Sequence, residues 1–116
     1  MECQLASSEE FQVLKKRLLN EVKKLYKTLG QDHSTVYRRL MEKKIQLIGD
    51  ALERVSRNPS MKLFELCAQI EDRIDAQERE IDDAKTFEEK ENIYHSISAY
   101  EWIFGVVKAV MRKYKT

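Results

Sequence analysis

Glu91 and His95 stand one helical turn apart. At that spacing a carboxylate can orient an imidazole for proton transfer, or the two can share a cation. It is the strongest chemical pairing in the chain, and it stands alone. The other histidine, His33, falls in a turn between two helical segments. No ExxH and no HExxH motif supplies further ligands, so neither a zinc site nor a di-iron bundle site is expected. Lys44 sits in the middle of an apolar helical side. A desolvated amine there could serve as a base or nucleophile, but a packed stem with its ammonium reaching water is the commoner use of such a lysine. Cys3 and Cys67 have neither CxxC nor Cys/His spacing. Cys67 falls on an apolar face and reads as a small buried hydrophobe. Without a Gly-rich phosphate loop or a Ser/His/Asp set, the expectation is a non-enzymatic protein with no catalytic residue, cofactor or metal.

Charge offers surfaces rather than reactive groups. Lys16, Lys23 and Lys27 line one side of the first helical segment, with Arg17 and Lys24 beside them; Arg38 and Arg39 extend the patch from the second. Such a face could contact phosphates in a salt-sensitive way. A net charge of +1 is unlike a dedicated polyanion binder, and no recognition-helix turn, stacking platform or zinc finger accompanies the patch. Nucleic acid is therefore the alternative partner. The charges also segregate: residues 1–62 hold 13 Lys/Arg against 8 Asp/Glu, and residues 63–116 hold 8 against 12. That asymmetry favours oriented contact with a charged partner or head-to-tail self-association. Glu71, Asp75, Glu78 and Asp82 share one helical side and read as a solvated face.

The scaffold that carries these groups is all-α. Three Gly and one Pro in 116 residues leave few breaks, and the abundant Ala, Leu, Glu, Lys, Arg, Gln and Met lose little on entering a helix. Periodicity and capping signals predict helices over 8–29, 34–57, 60–83 and 86–114, in a single domain arranged as a four-helix up-down bundle. Ser7-x-x-Glu10 and Thr86-x-x-Glu89 have the capping-box form, and Gly30 and Asn58-Pro59 end the first two helices. Neither Gly nor Pro separates the third helix from the fourth, so one continuous rod is conceivable. The two apolar stripes are out of phase and the joining segment is almost wholly polar, which places a break near 83–87. Four-helix domains of this size include histidine phosphotransfer modules. Here, however, His95 is followed by SISAYEW, without the basic and small residues expected after a phospho-accepting histidine.

The stretch AYEWIFGVVKAVM, residues 99–111, carries two apolar faces. On a wheel advancing ~100° per residue, Ile93, Ile97, Tyr100, Phe104, Val107 and Met111 cluster on one side. Ala99, Trp102, Ile103, Val106 and Val110 form another, with His95 at its rim. A helix at the edge of a bundle cannot easily bury so wide a band. Either this helix is the innermost one, or its second face meets another chain. The reading adopted is the second: a small accessory subunit, adaptor or inhibitor that binds another protein or a copy of itself through His95, Ala99, Trp102, Ile103, Val106 and Val110. The most apolar run, 102–111, is about ten residues where a bilayer needs ~20, and no signal peptide is visible. With no disulfide framework, a cytoplasmic location is expected.

Overall fold

A computed structural model describes residues 9–31, 34–58 and 60–114. Four helices follow one another: α1 (Glu9–Leu29), α2 (Thr35–Arg57), α3 (Leu63–Asp83) and α4 (Phe87–Lys113). No strand occurs among the described residues. Cys3, the Ser7 capping signal and His33 lie outside them.

Local chemistry sets the helix ends. Ser34 caps α2, its hydroxyl accepting from the Tyr37 N–H at 3.3 Å. At the junction of α3 and α4 the chain stops without Gly or Pro. Ala84 is extended (φ −69°, ψ 133°). The Glu89 carboxylate then accepts from the N–H groups of Lys85 and Thr86, both at 3.0 Å, while the Thr86 hydroxyl accepts from the Glu89 N–H at 3.0 Å. This reciprocal cap satisfies donors that a continuous helix would satisfy internally, and it separates the two rods. α3 starts at Leu63, three residues later than the predicted start at Ser60. The connection is used for packing instead: Met61 turns into the core, and the Lys62 N–H donates to Glu65 at 2.8 Å.

α4 is the central helix. It packs against all three others, most extensively against α3, while α1 packs on both α2 and α4. One apolar cluster joins Phe11, Leu14 and Leu18 of α1, Leu47, Ile48 and Ala51 of α2, Leu63, Leu66 and Ile70 of α3, and Ala99, Ile103, Val106, Val107 and Val110 of α4. Ile93 and Ile97 are buried as well. The three outer helices each spend one stripe on the core; α4 buries more than half of its circumference and keeps one exposed strip. That accounts for its departure from the simple amphipathic pattern.

Candidate functional site

The second face of α4 is turned into the molecule. Ala99 and Ile103 are 1% exposed, Val110 is fully buried, and Val106 and His95 keep only 9%. Trp102 is half-buried, with the Lys44 ammonium 4.3 Å from its ring centre. The same ammonium donates to Glu21 at 2.8 Å. A carboxylate on α1, a cation on α2 and an indole on α4 thus form one cross-helix cluster. Apart from half-buried Trp102, the residues expected to face a partner are buried within the chain's own bundle, all but His95 in or against a core drawn from all four helices. Lys44 is bound on two sides, an arrangement suited to holding helices together.

His95 lies in a polar cleft of about 500 Å³ between α2 and α4, with Arg39, Glu42, Lys43 and Glu88 in its walls. The Glu91–His95 pair that the spacing permits does not form. Arg39 takes the Glu91 carboxylate at 3.3 Å, and the imidazole has no hydrogen-bond partner among the described residues. No group of three His, Cys, Asp or Glu side chains that could hold a metal ion occurs among those residues.

The cation set divides in two. Lys16, Arg17, Lys23, Lys24 and Lys27 are exposed along α1 and form no ion pair among the described residues. Arg38 donates to the Gln31 carbonyl at 3.3 Å and Arg39 is held by Glu91, so these two serve the fold locally.

Sequence reasoning missed a basin at the end of the bundle where α1 begins, α3 begins and α4 ends. It has a volume of about 520 Å³. Its floor and walls are Phe11, Met61, Leu63, Phe64, Met111 and Tyr114, and its polar groups are Lys62, Lys108, Arg112, Ser60 and Glu10. Phe64 is 60% exposed although it stands beside a buried core. Lys108 is steadied by the Phe104 ring, 5.2 Å away. Tyr114 closes the α1 side; partial withdrawal from water, with Glu9 and Glu10 nearby, pushes its hydroxyl above the usual tyrosine range. Lys62, Lys108 and Arg112 form no ion pair among the described residues. The basin therefore sets an apolar floor inside a cationic rim. A signal for it was present: Phe64 falls about 100° off the α3 stripe, in a run, Met61-Lys62-Leu63-Phe64, that is apolar at three of four positions.

Cys67 offers little chemistry. Burial pushes its thiol up, Lys108 opposes the shift in part, and Glu71 adds to it. It therefore stays protonated and is a slow nucleophile. Comparison with protein-family models, curated proteins and solved structures finds no significant match.

Proposed function

We propose that the chain is a non-catalytic helical protein-binding module whose contact surface is the basin formed by Met61, Phe64, Met111 and Tyr114. The observation that carries this reading is the juxtaposition of a 60% exposed Phe64 with a concavity of about 520 Å³ edged by Lys62, Lys108 and Arg112, none of them in an ion pair among the described residues. Exposed aromatic surface in a concave setting marks contact sites, and the methionines in its lining adapt to an incoming side chain. A free Cys67 suits a reducing compartment such as the cytoplasm. Among the described residues no helix is long and apolar enough to cross a membrane.

The test is photo-cross-linking in cells, with benzoylphenylalanine placed at position 64 and, as a control, at the exposed position 26. The expected result is a discrete protein adduct from position 64 that disappears when Lys108→Glu is added. Equal labelling from both positions, or none from either, would refute the reading.

The exposed cations of α1, which form no ion pair among the described residues, favour a second reading, a nucleic-acid-associated subunit. It requires binding to DNA or RNA whose logarithm falls linearly with log salt, and whose slope shrinks when Lys16, Lys23 and Lys27 become Glu. Absence of binding at low salt removes it.

A further inference from the structure

We propose that the basin receives Phe87 from a second copy of this chain, the two copies lying antiparallel along α4 so that each supplies both halves of the contact. The proposal rests on the reading of the basin as a protein-binding surface and names its occupant.

Phe87 is 80% exposed, the most exposed large apolar side chain among the described residues. It opens α4, just past the α3–α4 cap, where its near neighbours in the chain are the carboxylates Asp82, Asp83 and Glu88 with Lys85 and Lys90 among them. These carboxylates are exposed and form no ion pair among the described residues. Glu89, by contrast, is committed to the cap. An uncovered aromatic ring on a segment where carboxylates outnumber lysines is the complement of an apolar basin where Lys62, Lys108 and Arg112 outnumber Glu10. Opposed potentials of this kind set register and partner choice in an interface.

A chain cannot satisfy its own basin. Phe87 and Met111 are 24 residues apart on one helix, ~36 Å at 1.5 Å per residue. Phe87 and the rim residues Lys108 and Arg112 also lie on the same side of α4. At ~100° per residue, Phe87, Tyr94, Gly105, Lys108 and Arg112 fall within about 60°, and all five are exposed. When one α4 lies antiparallel on another with Phe87 opposite Arg112, at the basin's rim, Tyr94 comes opposite Gly105, so a projecting ring meets a position with no side chain. A Cβ at Gly105 would meet nothing within 4 Å in the single chain, so that space is open to a partner. Two identical contacts then close at once, giving a two-fold dimer rather than an open chain. One like-charge approach remains, between Lys90 and Lys108 of opposite copies.

The test is the solution mass by light scattering on a sizing column over a concentration series. From a 13.8 kDa chain, the mass of the wild type is expected to rise to twice the monomer and stop. Phe87→Ser removes the inserted ring and Phe64→Ser opens the basin wall. Both positions are exposed, so each variant is expected to fold, checked by its helical circular dichroism. Each should self-associate at least about tenfold more weakly. An equimolar mixture of the two keeps one intact contact and should recover a 1:1 pair. Lys90→Glu should tighten the dimer. A wild type that stays monomeric throughout, a dimer unmoved by Phe87→Ser, or growth beyond the dimer would overturn the proposal. A monomer that still cross-links from position 64 to a different polypeptide overturns only the self-pairing. A monomer that gives no such adduct overturns the basin reading as well.

Discussion

At the scale of single residues, the Glu21–Lys44–Trp102 cluster carries the plainest consequence. Lys44 and Glu21 keep only 19% and 18% of their side-chain surface in water. Lys44→Met strips the carboxylate of its cation while leaving it partly buried. Unfolding by urea should show a loss of about 1–3 kcal/mol. Adding Glu21→Gln should recover part of that loss, because a neutral amide tolerates the site better than an unpaired carboxylate. Full additivity of the two changes would mean that the pair is not coupled. The sequence shows that Lys44 interrupts an apolar side. It does not show why, because Glu21 and Trp102 stand 23 and 58 positions away on other helices. Only their packing reveals that the charge is matched and not merely reaching for water. The same holds for His95, whose natural partner by spacing, Glu91, is claimed across the helix interface by Arg39.

At the scale of the helix, caps and stripes were legible because they are local. Thr86-x-x-Glu89 announced the start of α4, and the structure makes both halves of that cap. Its hydrogen bonds hold the Glu89 carboxyl below the usual glutamate range, the backbone N–H groups of Lys85 and Thr86 first and the Thr86 hydroxyl after them. The sign follows from linkage: the cap's contribution is complete above the ordinary glutamate range and is lost as pH falls through the lowered value. Glu89→Gln keeps an acceptor but removes the titration. Thermal melts of this variant should show a flatter decline in stability on acidification than wild type. In α2, Gly49 is exposed and a Cβ there would meet nothing within 4 Å. Gly49→Ala should raise stability by about 0.5–1 kcal/mol, read as a higher melting temperature. What the sequence left open was the role of the second face of α4. Width of an apolar band says that two neighbours are needed; it does not say whether those neighbours belong to the same chain. Here the other helices of the same chain supply the cover.

At the scale of the whole molecule, legibility fell off for the same reason. The basin draws on residues 10–11, 60–64 and 108–114, and no local pattern joins three segments so far apart. The charge asymmetry between the two halves was visible. Its finer grain, a cationic rim contributed largely by the otherwise acidic half, emerges only when α4 ends beside the start of α3. Placing α4 at the centre also makes the other helices dependent on it. A chain stopped after Ala84 keeps three apolar stripes and loses the surface that buries them. Its circular dichroism should show well under the full helical signal, without a cooperative thermal transition. That dependence carries over to biosynthesis. Ribosomes release about 5–20 residues per second, so α1, α2 and α3 emerge seconds before the helix on which they settle. During that interval Leu14, Leu18, Ile48 and Leu66 are open to water and to any chaperone that binds nascent apolar chain. The order of emergence runs opposite to the order of need, and the yield of folded protein in a cell should depend on how well that interval is guarded.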